Sequence, residues 1–452
     1  MGTITLGLAA QWCGGRVDPK YADVAFLGAN NDSRKIEPGQ LFVALLGERD
    51  GHDYVPMAFE KGAAAALCSR EVGDYPAIIV EDTRKALGDI ARGERERIGM
   101  KVVGVTGSVG KSTTKEMIAA VLAKTYRVSK TPANHNNDIG MPMAVLAMSE
   151  DTQVAVLEMG MNHFREIAYL ASIARPDVAV ITNIGTMHIE HLGSQEGILQ
   201  AKLEILEGMQ EGGKVILNGD DPLLWNLHRR EDLHITYCGV QNPECNYRGM
   251  DIKEAPGLLR FNVKYGTLTF PVELSLEGIH YVSDALSAIG VGVEMGMNPS
   301  KIQEALSQFQ NMAGRQEIFE AKGCTIIKDC YNAGPESMAA ALAVLGNKSG
   351  RRVAVLGDML ELGVCTQAEH YRVGRIAAEK ADLLLAFGPN SSRIVSGAIT
   401  GGMADAKAKA FENRDEIVSA MKRMVKPGDV ILIKGSRGMH MELILEQFLK
   451  EE

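Results

Sequence analysis

One stretch constrains the fold of this chain more than any other: residues 102–114 read VVGVTGSVGKSTT. An apolar run leads into a glycine-rich turn and then into a helical pattern. Glycines let successive backbone N–H groups point at a phosphate, and the helix that follows places its partly positive N-terminus against it. We therefore predict a strand, a phosphate loop and a helix, with Lys111 on the β/γ-phosphates of a nucleotide and Ser112 on Mg²⁺.

This phosphate loop is a variant of the strict pattern. The pattern has a glycine five residues before Gly110, where this chain has Val105, and its inner glycine is Gly107. The strand before the loop and the helix after it favour a nucleotide site over the alternative, a capped helix N-terminus. The predicted ATP-binding residues of the loop are Thr106, Gly107, Ser108, Val109, Gly110, Lys111, Ser112 and Thr113.

Length and composition bound the class of protein. At 452 residues the chain is long enough for about three domains. A net charge of −9 argues against broad binding to nucleic acid or to an anionic membrane. The seven cysteines are scattered without CxxC pairs, which favours a reducing compartment over a disulfide framework or a zinc site. No charge precedes Arg16, and no apolar run reaches the ~18 residues of a membrane helix, so we expect a soluble cytoplasmic protein.

Buried strands alternate with helical patterns along the whole chain. This alternation predicts an α/β fold with mainly parallel sheets and ligands at the carboxyl ends of the strands. We predict three domains, at residues 1–98, 99–312 and 313–452. The strands that define the second and third domains are expected at 102–105, 154–157, 178–181, 214–217, 324–329, 353–358, 383–388 and 430–435.

Two polar residues follow predicted strands of the second domain. Glu158 follows 154–157, and it is a hard oxygen ligand suited to a phosphate-bound Mg²⁺; His188 follows 178–181 and is a candidate ligand for a second divalent ion. An isolated histidine is more often structural. The ligand interpretation rests on convergence, because three strand ends of one sheet would bring Ser112, Glu158 and His188 to the same edge.

An asparagine-rich segment, residues 131–140, reads TPANHNNDIG. Side chains such as Asn134, Asn136, Asn137 and Asp138 supply directed donors and acceptors but no core. We predict that this asparagine loop faces a substrate; the alternative is a turn built from residues that hydrogen-bond their own backbone.

Further candidates carry weaker signals. Ser33 and Arg34 could offer a hydroxyl and a guanidinium fork to a diphosphate, although on their own an ordinary solvated turn is favoured. Nothing in its spacing distinguishes Lys202, which the residues alone predict to be a surface lysine. In the third domain, polar and charged side chains follow the predicted strands, and we expect them to line one edge of the sheet: Asp329, Tyr331, Asn332, Asp358, Lys434, Ser436 and Arg437.

With these residues in view, the chain resembles the ATP-dependent Mur ligases, cytoplasmic amide-forming enzymes of peptidoglycan precursor synthesis. The resemblance runs from DSR at 32–34 through the phosphate loop to KGSR at 434–437. It implies a UDP-substrate-binding first domain, a central P-loop domain that binds ATP and a Rossmann-like C-terminal domain.

Within that family, three motifs are similar to those of the members that add D-alanyl-D-alanine to UDP-N-acetylmuramoyl-tripeptide. They are NNDIGMP at 136–142, YNA at 331–333 and LGDMLELG at 356–363. The Asp-Asn-Pro-Arg motif of the tripeptide-forming ligase is absent from the chain. That ligase, a folylpolyglutamate-type ligase and, from a different class, a P-loop switch ATPase stay as alternatives, and the residues do not decide whether the tripeptide ends in lysine or diaminopimelate.

The resemblance also implies residue roles. Lys111, Asn134, His188 and Lys202 would be catalytic, with Ser112 and Glu158 on one Mg²⁺ and His188 on a second. Lys202 matches a lysine that the family carries as a carbamate serving the metal site, which reverses the surface interpretation. Nucleotide would also meet Asn311, Arg315, Asp329 and Tyr331, and the substrates would meet Ser33, Arg34, Asn136, Asn137, Asp138, Asn332, Lys434, Ser436 and Arg437. We expect a monomer whose partners are these small molecules, with no nucleic acid and no membrane insertion.

The chain departs from the family pattern at a few positions. Tyr281 and Asp284 stand where amides are usual in the family's segment near the adenine. Lys328 replaces a common aspartate and Gly334 an asparagine. None of these positions lies in the phosphate loop.

Overall fold

Buried apolar strands organise the chain around three main sheets. The computed structural model describes residues 3–312 and 314–450, and within them the sheets have five, nine and six strands, with a separate two-stranded ribbon near the N-terminus. Most strands are parallel to their neighbours and are covered by helices, so the predicted α/β architecture is confirmed. We refer to the parts built on these sheets as the first, central and third units.

The first unit contains the ribbon, Ile4–Thr5 with Ala25–Phe26, and a small sheet. Its helices are Leu6–Cys13, Val55–Glu60 and Thr83–Ile98. Across the sheet the strands are Arg16–Val17, Ala77–Ile79, Ala65–Cys68, Leu41–Val43 and Ala29–Asn30, of which only the first pairs antiparallel.

The central unit is built on the nine-stranded sheet, in which the phosphate loop follows an inner strand. Seven strands run parallel, and two antiparallel strands extend one edge. In order across the sheet they are Val128–Lys130, Val154–Glu158, Lys101–Thr106, Val178–Ile181, Lys214–Asn218, His234–Gly239, Tyr247–Ala255, Leu258–Tyr265 and Leu268–Leu274. The helices are Lys111–Leu122, Gly140–Leu146, Glu166–Ala174, Ile189–Leu192, Gln195–Leu203, Pro222–Trp225, His280–Glu294 and Pro299–Ser307.

The third unit repeats the parallel plan around two apolar layers, one on each face of its sheet. Only its first strand is antiparallel. The strands in order are Glu317–Ala321, Cys324–Asp329, Val430–Lys434, Arg352–Gly357, Leu383–Phe387 and Ala408–Phe411. The helices are Pro335–Gly346, Thr366–Lys380, Ser391–Thr400, Arg414–Met424 and Met441–Leu449.

The helix Thr83–Ile98 joins the first unit to the central one. Asp82 caps its N-terminus, and it ends at Gly99, whose φ of 71° suits a glycine. Near its C-terminal end, Arg95 donates to the carbonyls of Ala174 and Arg175 at 3.0 Å, which ties it to the end of a central-unit helix. One apolar core runs through both units, so this packing sets the position of the first unit beside the site.

Some details differ from the sequence-based expectations. Glu158 is the last residue of its strand and not the residue after it. The segment 247–263, which we did not predict as strands, forms most of an antiparallel hairpin whose register shifts between Met250 and Lys253. The domain boundaries stay predictions, and Ala313, the first residue of the predicted third domain, lies outside the described residues. None of the helices within 3–312 and 314–450 combines the length and apolar character needed to cross a membrane.

The contact between Gly93 and Trp12 gives a test of how the helices Thr83–Ile98 and Leu6–Cys13 pack on each other in the first unit. A Cβ added at Gly93 would lie 2.2 Å from the Trp12 ring, so Gly93→Ala must force the two helices apart. We expect a loss of about 1–3 kcal/mol in the free energy of unfolding, measured by urea denaturation. Gly47→Ala in an open loop is the control, and equal stability of the two variants would contradict the packing.

Candidate functional site

The phosphate loop has the conformation that the sequence predicts. It follows the strand Lys101–Thr106 and leads into the helix Lys111–Leu122, which we call the phosphate-loop helix. Gly110 has a φ of 86°, and a Cβ at Gly107 would lie 1.9 Å from the Thr182 hydroxyl oxygen. Glycine is therefore required at both positions for the loop to curl in this way.

The loop is held in place by the next strand end. Asn183 Oδ1 accepts from the Val109 N–H at 2.9 Å, and Ser108 Oγ accepts from the Gly185 N–H at 2.8 Å. Lys111 Nζ donates to the Gly107 carbonyl at 2.8 Å and to the Ser108 carbonyl at 3.2 Å. Burial lowers the pKa of Lys111. The loop is therefore rigid, and its lysine lies where a bound phosphate would replace carbonyls as its partner.

A cavity of about 730 Å³ opens beside the loop and is lined by residues of all three units. Most of the predicted site residues meet there. They are Ser108, Val109, Gly110, Lys111, Ser112, Thr113, Asn134, Asn136, Asn137, Asp138, Glu158, His188, Arg315, Asp329, Tyr331, Asn332 and Lys434.

Other predicted residues do not line this cavity. Ser33 is buried with its hydroxyl against Met57 Sδ at 3.4 Å, while Arg34 is exposed and pairs with Asp32 at 2.9 Å. Ser436 Oγ donates to the Ala333 carbonyl. The remaining residues outside the cavity lining are Thr106, Gly107, Lys202, Asn311, Asp358 and Arg437. Asp329 and Lys434 are register partners at the carboxyl ends of neighbouring strands, and the Ser436 N–H donates to the Asp358 carbonyl at 3.0 Å. These residues therefore share the predicted edge of the third-unit sheet, although Asp358, Ser436 and Arg437 do not line the cavity.

Glu158 has the environment expected of a metal ligand. It is 2% exposed; its Oε1 accepts from Asn136 Nδ2 at 2.9 Å, whereas its Oε2 has no hydrogen-bond partner. A buried carboxylate oxygen without a hydrogen bond is costly, and a cation beside Ser112 would satisfy it. The described residues contain no group of three or more His, Cys, Asp and Glu side chains able to hold a metal by themselves. A Mg²⁺ here would therefore complete its shell with other oxygens, such as those of a nucleotide.

His188 is in contact with the third unit. Its Nδ1 lies 2.6 Å from Glu361 Oε2, and this contact lowers the pKa of Glu361. Both residues have positive φ, 63° in each case, a strained conformation that persists only where the surrounding structure holds it. Its proposed role at a second metal stays a prediction.

Lys202 is buried, so the interpretation as a surface lysine was wrong. Its side chain lies on the helix Gln195–Leu203 and is 2% exposed. Burial, with a smaller contribution from the charge of Lys111, lowers the pKa of Lys202 far below its usual value. A lowered pKa favours the neutral amine, which is the form that can attack CO₂ to give a carbamate. The carbamate itself stays a prediction.

Residues of the third unit, and of the segment that connects it to the central unit, line the cavity together with the phosphate loop. Arg315 donates to Ser112 Oγ at 2.9 Å and stacks over the Tyr331 ring at 4.3 Å. Lys434 Nζ donates to Asp329 Oδ2 at 2.6 Å. Outside the cavity lining, Asn311 Nδ2 donates to the Tyr281 hydroxyl at 2.7 Å. The side chain at the unusual position Tyr281 thus helps to hold the connecting segment.

Sequence reasoning missed part of the cavity wall. Arg84 of the first unit pairs with Asp138 at 2.8 Å, and Tyr169 and Arg165 come from the helix that packs beside it. Asn162 follows the strand that ends at Glu158, so the strand-end rule could have found it. The others are brought in by packing between units and carry no local signal.

Asp284, the second departure from the family pattern, lies under the phosphate loop. It is 8% exposed and accepts from Thr114 Oγ1 at 2.8 Å; a Cβ at Gly110 would fall 2.6 Å from its Oδ1. Burial raises the pKa of Asp284 to about 7. A carboxyl group therefore titrates near neutral pH next to a loop built for phosphates.

Three family models match the chain, and together they span most of its length. "Mur ligase family, catalytic domain" matches residues 24–95, "Mur ligase middle domain" residues 105–292, and "Mur ligase, glutamate ligase domain" residues 314–437. The chain belongs to the Mur ligase family, as its motifs predict.

Relatives of one particular kind match over nearly the full length. The chain is 41% identical over 443 residues to the UDP-N-acetylmuramoyl-tripeptide--D-alanyl-D-alanine ligase of Bacillus subtilis, covering 96% of this chain and 95% of the relative. It is 35% identical to the ligase of the same name from Escherichia coli, over 94% of each chain.

Solved structures agree. MurF from Acinetobacter baumannii has a TM-score of 0.92 at 31% identity over 100% of both chains. The MurF ligase from Thermotoga maritima in complex with ADP has a TM-score of 0.84 at 30% identity, over 94% of this chain and 97% of that one. The similarity thus covers all three units.

The raised pKa of Asp284 predicts how stability depends on pH. Because the folded-state pKa, about 7, lies above the unfolded value of 3.8, the folded state binds the proton more tightly. The contribution of this proton to the free energy of unfolding is therefore fully present below about pH 4, and it is lost as pH rises toward 7. Asp284→Asn should therefore stabilise the protein at pH 8, by up to about 4 kcal/mol, and have little effect at pH 4.

Thermal unfolding of the variant and the parent at both pH values checks this expectation. Asp405→Asn, at an exposed position, is the control and should leave the pH dependence unchanged. A gain from Asp284→Asn that is the same at pH 4 and pH 8 would contradict a titrating carboxyl under the loop.

Proposed function

We propose that this chain is an ATP-dependent ligase that joins D-alanyl-D-alanine to UDP-N-acetylmuramoyl-tripeptide, giving the UDP-muramoyl-pentapeptide with release of ADP and phosphate. The observation that carries the proposal is that the phosphate loop, the asparagine loop and the third-unit residues Lys434 and Tyr331 line one cavity. The relatives named for this reaction support the choice of substrates, and the ADP complex of a relative supports ATP as the nucleotide.

The chemistry follows from the poor reactivity of a carboxylate toward an amine. The terminal carboxylate of the tripeptide attacks the γ-phosphorus of ATP, and ADP leaves, so that an acyl phosphate forms. Lys111 and the N–H groups of the phosphate loop stabilise the charge on the transferring group. The amine of D-alanyl-D-alanine then attacks the acyl carbon, loses a proton, and the tetrahedral intermediate expels phosphate to leave the amide.

The asparagine loop lies where the acyl group must be held. Asn134 is exposed toward the cavity, and Asn136 contacts the carboxylate of Glu158. Directed amide groups can orient the tripeptide carboxylate without competing as nucleophiles, because an amide is neutral and weakly basic. We assign Asn134, Asn136, Asn137 and Asp138 to substrate binding on this ground.

Ser112 and Glu158 would hold one Mg²⁺, and His188 with a carbamate on Lys202 would serve a second. When bound, the metal supplies positive charge that neutralises the nucleotide phosphates. The Oε2 of Glu158, which has no hydrogen bond, and the lowered pKa of the buried Lys202 amine fit these roles. The chain's own contribution is to hold these ligands at one edge of the sheet.

Contacts between the units support a reaction space closed to water, which would otherwise hydrolyse the acyl phosphate. Arg315 donates to Ser112, and Glu361 of the third unit contacts His188 of the central unit. We assign Asn311, Arg315, Asp329 and Tyr331 to the nucleotide and Asn332 and Lys434 to the incoming amine.

The proposed reaction also fits the other expectations from sequence. It uses ATP and nucleotide-linked precursors, so we place it in the cytoplasm. Its partners are small molecules, and the acidic net charge of −9 fits a protein that binds no nucleic acid. We propose a monomer, since one chain supplies every residue that the mechanism uses. Ser33 and Arg34 are assigned to the uridine-diphosphate end in the first unit, away from the reacting groups.

Phosphate release from Mg-ATP tests the proposed reaction. Release should require both UDP-muramoyl-tripeptide and D-alanyl-D-alanine, and Lys111→Ala should lower it at least ~100-fold because transition-state charge loses a partner. Lys214→Ala, at a partly exposed site on another strand, is the control and should keep the parent rate.

Each other outcome of this assay identifies a different protein. Equal release without either substrate would overturn the proposal in favour of a switch ATPase. Dependence on a UDP-dipeptide plus one amino acid would instead indicate the tripeptide-forming ligase, and dependence on a folate with glutamate would indicate the folylpolyglutamate type.

A further inference from the structure

Lys115 is a charged side chain to which the mechanism above gives no role. It lies one turn after Lys111 on the phosphate-loop helix, and its side chain is completely buried. A charged group is rarely buried unless it is paired, because removal from water costs several kcal/mol. The contacts of this ammonium group therefore indicate what it does.

The Lys115 ammonium group reaches the asparagine loop. Its Nζ donates to the Thr131 carbonyl at 2.8 Å and to the Ala133 carbonyl at 3.3 Å. It also lies 3.3 Å from Glu116 Oε1 and 3.7 Å from Glu158 Oε2. One lysine thus contacts the loop that faces the substrate and the carboxylate that fits a metal.

The sheet order explains why such a link is needed. The phosphate loop follows the strand Lys101–Thr106, whereas the asparagine loop follows Val128–Lys130, and the strand Val154–Glu158 lies between them. The two loops are therefore not neighbours in the sheet. The phosphate-loop helix packs against the intervening strand and against Val128–Lys130, and Lys115 reaches from this helix to the asparagine loop.

The backbone beside Asn134 depends on this link. Ala133 has a φ of 42°, a conformation that non-glycine residues rarely adopt. The Lys115 ammonium group donates to the carbonyl of this residue. Further along the loop, the Gly160 N–H donates to the Asn136 carbonyl at 2.8 Å. The loop is thus fixed at both sides of the asparagines that face the cavity.

We propose that Lys115 is a positioning residue for acyl-phosphate formation, which fixes the asparagine loop and Glu158 relative to the phosphate loop. The inference rests on the proposed function. In-line attack requires the tripeptide carboxylate about 3–3.5 Å from the γ-phosphorus. The carboxylate is held by the asparagine loop and the phosphorus by the phosphate loop, so the spacing between the two loops sets the reaction geometry.

The main test is Lys115→Met, which keeps the length of the side chain but removes the ammonium group. We expect kcat for substrate-dependent phosphate release to fall about 100-fold, as for a displacement of about 1 Å. The KM for ATP and the calorimetric affinity for Mg-ADP should stay within about 3-fold, because every residue of the phosphate loop is intact. Lys130→Met is the matched control. The Lys130 ammonium group pairs with Glu116 and makes no hydrogen bond to the carbonyls of the asparagine loop, so the kcat of this variant should equal that of the parent.

Two further variants separate positioning from general stability. Lys115→Gln retains N–H donors for the loop carbonyls and should recover part of the lost kcat, and it also serves if Lys115→Met does not fold. In the Asn134→Ala background, Lys115→Met should lower kcat by less than about 5-fold, because the two changes disrupt the same geometry.

The outcomes are distinguishable from failure of the proposed function. If the parent enzyme shows no tripeptide-dependent release, the proposed function itself is wrong. If the parent is active, full activity of Lys115→Met, a loss of Mg-ADP affinity equal to the loss in kcat, or independent effects of the Lys115 and Asn134 changes would each overturn the positioning role.

Discussion

The structure depends on one constraint: four neighbouring parallel strands of the central sheet end at the same edge. Glu158 closes one of these strands, and the phosphate loop, the asparagine loop and the segment before His188 follow the other three. Because parallel strands all present their carboxyl ends together, groups far apart in sequence meet without any special loop. The first and third units add walls to that edge, and the cavity results.

Buried charge gives this edge its chemistry. Lys115, Lys202 and Glu158 are buried, and Lys111, which lines the cavity with Glu158, is half-buried. In such surroundings an electrostatic interaction is stronger than in water, and an unpaired charge is costly. The site is thus set up to gain stability when phosphates and cations arrive, which is also when charge must be stabilised for phosphoryl transfer.

The sequence predicted those parts of the site that local patterns encode. The phosphate loop could be recognised because its glycines and its lysine lie together in one short stretch of sequence. Glu158 could be recognised because it stands at the end of an apolar strand. Lys202 was not found from its own surroundings, since the helix Gln195–Leu203 shows no pattern that separates a buried lysine from an exposed one. Only the family resemblance pointed to it.

Other features depend on packing between distant segments. Arg84 reaches the cavity because the helix Thr83–Ile98 docks on the central unit, and no motif near Arg84 signals this. The burial of Asp284 and Lys115 likewise follows from how the phosphate-loop helix packs on the helix His280–Glu294 and on the sheet. Such contacts join residues that are far apart in the chain, so they require the folded structure.

The central claim is that the cavity activates the tripeptide as an acyl phosphate. It is tested most directly with UDP-muramoyl-tripeptide carrying ¹⁸O in its terminal carboxylate, Mg-ATP and D-alanyl-D-alanine, followed by mass analysis of the released phosphate. An acyl phosphate leaves with the bridging oxygen of the carboxylate, so each phosphate formed should carry one ¹⁸O atom. Phosphate released without label, while the amide forms, would contradict the account.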